Sequence, residues 1–247
     1  MQYSGDDELY NKLMELVNND PTKFYIIESQ VDAEIQLKYF EYSARLRKEE
    51  NRTPQELIDD FKDAEDDEIK KEFLIRLALT GNVEAYRFIE SYVPEAPREL
   101  QPWAMLAYQE ARLLLETSLL EESRVFISSG MGGKGHKLRY AVVMISSNKN
   151  NLLDFQKDLV AEELKHFFIR KDCELEEIEF NRQFAIITCL IPISIQLQLL
   201  FDEIIGEINV MGNFLSETYL ITNEKKLNDN DLQKFSDSVA IRESTQE

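Results

Sequence analysis

Ser128-Ser129-Gly130-Met131-Gly132-Gly133-Lys134-Gly135-His136-Lys137-Leu138-Arg139-Tyr140-Ala141-Val142-Val143-Met144-Ile145-Ser146 sets half of the chain's eight glycines in front of a β-branched run. Gly130, Gly132 and Gly135 have the G-x-G-x-x-G spacing of a dinucleotide fingerprint. That fingerprint works only where the loop opens a helix whose first N–H groups face a pyrophosphate. Here the residues after the loop are rich in Val and Ile at strand length, so the loop is expected to turn the chain between strands. His136 stands where a phosphate-binding P-loop requires lysine, which removes that reading as well. A glycine-rich flap over ATP would need a downstream His-Arg-Asp and Asp-Phe-Gly, and neither occurs.

Reading onward from this loop, residues 138–146 form one strand and Leu152, Phe155, Leu159, Val160, Leu164, Phe167 and Phe168 repeat at helical spacing. Two strands follow, over 173–180 and 184–191, joined by a tight turn at Asn181-Arg182-Gln183. Ile195, Leu199, Leu200, Ile204, Ile205 and Ile208 mark a second helix, and residues 214–222 a last strand. The order β-α-β-β-α-β is that of a ferredoxin-like domain. Residues 124–129 read as an additional strand, expected to add a hairpin arm to the same sheet. One sheet face is covered by the two helices, and the other is expected to be solvated, dimerised or covered by the helical half. Residues 224–247 read as a mobile polar tail with at most a short helix near Leu232.

Upstream of the loop, helical periodicity and capping chemistry dominate. Leu9, Leu13, Leu16 and Val17 make a first stripe. An apolar series from Phe24 through Ile27, Val31, Ile35 and Tyr39 to Leu46 predicts one long helix or two joined ones beginning at Asp20-Pro21. Thr53-Pro54-Gln55-Glu56 is a capping box with proline in the first turn. The acidic cluster at 63–68 lacks the glycine and ligand alternation of a calcium loop and reads as acids favoured at a helix N-terminus. Asn82 caps a further helix, Pro94 and Pro97 end it, and Pro102 begins the last.

Glu56-Leu57-Ile58 with Phe61, then Phe73-Leu74-Ile75-Arg76-Leu77-Ala78-Leu79, Gly81-Asn82-Val83-Glu84-Ala85-Tyr86 and the helix from Trp103 resemble HEAT-type helical repeats over about residues 53–120. The resemblance implies a stack of helix pairs, each burying its apolar face on the next and presenting a groove to a protein partner. The expected organisation is a helical, HEAT-like domain over 1–122, a ferredoxin-like α+β domain over 123–223, and a polar tail over 224–247.

Charge narrows the function. The net charge is −19, with 28 Lys+Arg against 47 Asp+Glu, so the surface should repel nucleic-acid phosphates and anionic lipids. Binding to nucleic acid or membrane is not expected, and no stretch approaches the roughly 18 apolar residues of a membrane helix. The N-terminal residues lack the pattern of a signal peptide, which places the protein in the cytoplasm as an expectation. Cys173 and Cys189 have no nearby His and read as core residues, not zinc ligands. Glu163-Leu164-Lys165-His166 has the E-x-x-H form of carboxylate-bridged metal sites but no second copy, so it reads as a solvated helix face. In RNA-recognition modules of the same strand order, aromatic side chains on two central strands stack bases. Here Tyr140 is the lone aromatic on one of these strands, and Ile186 occupies the second stacking position on the other.

No catalytic residue, metal or cofactor is expected. The one basic stretch, residues 124–140, contains no Asp or Glu. Gly130, Gly132, Gly133, Lys134, Gly135, His136, Lys137 and Arg139 are therefore the candidate contact site, for a protein partner in the first reading and, in the second, for an anion- or phosphate-binding or enzymatic module that uses the loop as an N–H cradle. The function expected is that of a non-catalytic interaction or regulatory adaptor, with a homo-oligomer through the open sheet face as a further expectation.

Overall fold

The computed structural model describes residues 24–47, 52–120, 125–127 and 129–244. The chain is α+β: the helices lie mostly toward the N-terminus and an antiparallel, curled sheet follows. It divides into two compact units, Asp20–Gly132 and Gly133 onward.

The first unit opens with β1 (Phe24–Ile26) and continues through α1 (Ala33–Leu46), α2 (Pro54–Asp63), α3 (Asp67–Leu79), α4 (Val83–Tyr92), α5 (Gln101–Leu120) and β2 (Val125–Ile127). The caps predicted at Thr53 and Asn82 are present. Thr53 Oγ1 accepts from Glu56 N–H while the Glu56 carboxylate accepts from Thr53 N–H. Asn82 caps α4, and Asp66, from the acidic cluster, caps α3. Helix α3 touches α1, α2, α4 and α5, which accounts for its burial on more than one side through Leu74, Ile75, Leu77 and Ala78. Tyr39, Leu57, Phe61, Ile89, Trp103 and Leu106 complete this core.

Two expectations for this unit are corrected. The helix predicted from Phe24 begins only at Ala33, where Asp32 Oδ1 accepts from the N–H groups of Glu34 and Ile35. Phe24–Ile26 is instead a strand, pairing in parallel with β2. For the same reason the run expected to extend the large sheet as a hairpin arm belongs to the helical unit: its partner is β1, about a hundred residues upstream. The stripe at Leu9 to Val17 and the cap at Asp20-Pro21 lie outside the described residues.

The second unit contains β3 (Gly133–Lys134), β4 (Lys137–Ser146), α6 (Asp154–Arg170), β5 (Glu174–Asn181), β6 (Phe184–Pro192), α7 (Leu197–Asn209), β7 (Leu215–Thr222) and α8 (Asp229–Ser244). β4 pairs antiparallel with β6 on one side and with both β3 and β7 on the other; β5 lies outside β6. Both helical crossovers skip a strand, because β4-α6-β5 passes β6 and β6-α7-β7 passes β4. Val142 and Met144 of β4 with Ala185, Ile187, Cys189 and Ile191 of β6 face the two helices, whose Val160, Leu164, Phe167, Phe168, Phe201, Ile204 and Ile208 close the core.

The opposite face is not left open, and within the segment read as a tail Asp229–Ser244 form a helix far longer than expected. Leu232, Phe235 and Val239 of α8, spaced three and four apart, pack on Val143, Ile145 and Phe184. The helix therefore takes part of the face on which a homo-oligomer was expected.

Candidate functional site

The glycine segment combines three local backbone features, two of which call for glycine. Gly130 is the second residue of a turn closed by Gly132 N–H donating to Ser129 O at 3.0 Å. Gly132 has φ +68, and a Cβ there would lie 2.6 Å from the Glu28 carbonyl oxygen and 2.8 Å from that of Ser29. Only glycine lets this backbone approach so closely. Gly135 has φ +60 as the first of the two residues between paired Lys134 and Lys137, the position where a type II′ hairpin turn needs glycine. The fingerprint spacing is thus the sum of a turn, a close approach and a hairpin. The contact division between the units falls within the segment, after Gly132, so Gly130 and Gly132 sit in the helical unit and Gly133 to Arg139 in the sheet unit.

On the hairpin, Lys134, His136, Lys137 and Arg139 are brought together, but each faces a carboxylate from β5 or the turn before it. Lys137 Nζ is 3.0 Å from both Asp172 Oδ1 and Glu174 Oε1 although the residue is only 7% exposed. Lys134 Nζ is 3.4 Å from Glu174 Oε2, and His136 Nε2 is 3.4 Å from Asp172 Oδ2. Arg139 grips Glu176 with two nitrogens, at 2.5 and 2.8 Å, in the bidentate geometry that suits guanidinium and carboxylate. Arg139 stands opposite Leu190 of β6, and Leu190 opposite Glu174 of β5, so these ion pairs reach over the intervening strand. Leu190 is buried beneath them.

The electrostatics follow from this lattice. Burial pulls the Lys137 ammonium down, but its hydrogen bonds to Glu174 and Asp172 outweigh that and hold it above the ordinary lysine value. The hydrogen bond from Lys137 holds Asp172 and Glu174 below the usual carboxylate range. Hydrogen bonding to Glu176 raises the Arg139 guanidinium further. The positive charge that stands out in the local sequence is thus largely compensated in the fold.

Other candidate positions are also placed. His166 is exposed on α6 and Glu163 half-buried, and among the described residues no group of His, Cys, Asp and Glu is arranged to hold a metal. Cys173 and Cys189 are buried free thiols, pushed up by desolvation, Cys173 to about 11. Tyr140 packs toward the helices and Phe184 lies under α8, so neither ring forms a stacking platform. Among the described residues no helix is long and apolar enough to cross a membrane.

Asp172, Glu174 and Glu176, which complete the site, were not legible as its members. Their signal is the acidic β5 itself, Glu174-Leu175-Glu176-Glu177-Ile178-Glu179, whose pairing across the sheet with a basic strand only topology reveals.

No family model matches the chain, and comparison with curated proteins returns no relative.

Proposed function

We propose that this protein is a non-catalytic interaction or regulatory adaptor of the cytoplasm, composed of HEAT-like helical pairs and a ferredoxin-like domain. The observation that carries the functional reading is the charge lattice. Lysine, histidine and arginine of the glycine hairpin are engaged by Asp172, Glu174 and Glu176, so the hairpin is a braced surface feature whose cations are already occupied. Braced, alternately charged surfaces suit recognition of a complementary surface. The fold readings have support of the same kind. The strand order β7-β4-β6-β5 with two strand-skipping crossovers supports a ferredoxin-like arrangement. Contacts of α2 with α4, and of α3 with α5, support two stacked pairs of the HEAT type.

The experiment is affinity capture of the tagged full chain from its native cells, with the charge-reversed hairpin Lys134→Glu/Lys137→Glu/Arg139→Glu as comparison. A reproducible protein partner lost in the variant is expected. Absence of any reproducible partner to the wild type overturns the reading.

A second reading, an anion site at the hairpin tip, draws on the exposure of Lys134 and His136 beside the Gly135 turn. Phosphate, nucleotides and sugar phosphates at millimolar concentration would then raise Tm, by mass action on the folded state. No shift with any of them removes it.

A further inference from the structure

β5 ends the sheet of the second unit, and among the described residues no strand pairs with its outer side. Its glutamates divide into two sets. Glu174 and Glu176 are engaged by Lys134, Lys137 and Arg139. Glu177 lies 3.9 Å from Lys226 Nζ, and the exposed Glu179 carboxylate makes no hydrogen bond or ion pair among the described residues.

These two carboxylates rim a groove of about 230 Å³ with Ala141, Ile186 and Thr188 as its floor and Lys226 and Leu227 as its far wall. The register explains the groove: Glu177 is opposite Thr188, which is opposite Ala141, so two small side chains lie inward of the glutamate across the sheet. On one side of that row the ion-pair lattice covers Leu190, and on the other α8 covers Val143, Ile145 and Phe184.

We propose that this edge and groove dock an extended, basic segment of a partner protein. The segment adds a strand beside β5 through main-chain hydrogen bonds and lays a lysine or arginine into the groove. Its aliphatic stem rests on Ile186 and Leu227, and its charged head meets Glu177 and Glu179. The inference deepens the adaptor reading and rests on it.

A charged edge strand ordinarily blocks sheet extension. Here the block is selective. A second copy of this chain would set glutamate against glutamate, and an apolar strand would leave Glu179 unpaired and Glu177 with only its 3.9 Å contact to Lys226. A basic strand satisfies the backbone and the two charges together.

The test uses the full chain and a strand-length peptide alternating lysine and valine, with backbone amide shifts read by NMR and affinity by fluorescence anisotropy. Saturable binding is expected, with shifts concentrated on β5 and on Ala141, Thr188 and Lys226. E177K/E179K should weaken it at least about tenfold, with the hairpin ion pairs and Tm unchanged. E177Q/E179Q should weaken it less, guarding against a folding artefact of charge reversal. Shifts spread over the acidic helical unit, or equal affinity for a lysine–glycine peptide of the same charge, would overturn strand addition. If a partner captured by wild type is captured equally by E177K/E179K, this docking site falls and the adaptor reading stands.

Discussion

Among single residues, glycine and buried charge carry the clearest consequences. Gly132→Ala should destabilise the protein by more than about 1 kcal/mol, because the new Cβ meets two backbone carbonyls and φ is positive. Gly206→Ala, in the middle of α7 with no atom within 4 Å of the added methyl, should stabilise by about 0.5 to 1 kcal/mol. Thermal denaturation of the two variants side by side checks both signs. The cluster of glycines was conspicuous in the sequence, but its cause was not, since the Glu28-Ser29 backbone that excludes a side chain at 132 lies far upstream. Glu110 is the corresponding case of charge. It is 1% exposed and accepts from Tyr39 at 2.8 Å, Ser43 at 2.7 Å and Arg47 at 3.1 Å. Glu110→Ala would leave two buried hydroxyls unpaired, at a cost of about 3 kcal/mol in urea unfolding. Burial, then the adjacent Glu110, pushes the Tyr39 phenol well above its ordinary value. Its contribution to stability is therefore complete below about pH 10, the unfolded tyrosine value, and declines as pH rises beyond it. A Tyr39→Phe variant should show a shallower alkaline decline, read from urea midpoints across pH 9 to 11.5, a range set about that value.

Elements with a chemical signature at their own ends were legible: the Thr53 box, Asn82, the helical spacings of α6 and α7, and the turn at Arg182 between β5 and β6. Those defined by a distant partner were not. β1 and β2 are three residues each and exist because they pair with one another, which nothing local announces. α8 was read as tail because polar residues dominate it, although Leu232, Phe235 and Val239 keep a helical stripe. Phe235→Ala should cost about 3 kcal/mol, and a chain ending at Leu227 should bind a hydrophobic dye through uncovered Val143, Ile145 and Phe184. The hairpin β3-β4 makes a pH prediction. Asp172 and Glu174 are held low by Lys137, so the bracing they supply is present above about pH 4, the unfolded carboxylate range. It is lost as pH falls through their depressed values. NMR shifts of β3 and β4 amides should move in that acid window, and Lys137→Met should reduce the movement and shift its midpoint toward the ordinary carboxylate range.

On the scale of the whole molecule, each unit holds its own core, and the chain's single tryptophan, Trp103, belongs to the helical one. Urea unfolding followed by Trp fluorescence should therefore report that unit. Phe235→Ala should shift the far-UV circular dichroism transition while leaving the fluorescence midpoint in place. The α+β division was readable from the change in periodicity, yet the boundary lies later than the change. Residues 125–127 look like the start of the sheet but pair with β1 of the helical unit. The parallel pairing of β1 with β2 joins distant parts of the helical unit, with α1 to α5 between them. A ribosome delivers these parts in order, so the first strand must wait unpaired until nearly the whole unit has been translated. Synonymous codons that slow synthesis once β2 has cleared the ribosomal exit tunnel would lengthen the interval in which the unit closes before the sheet is complete. Such pauses should raise the yield of correctly folded nascent chain.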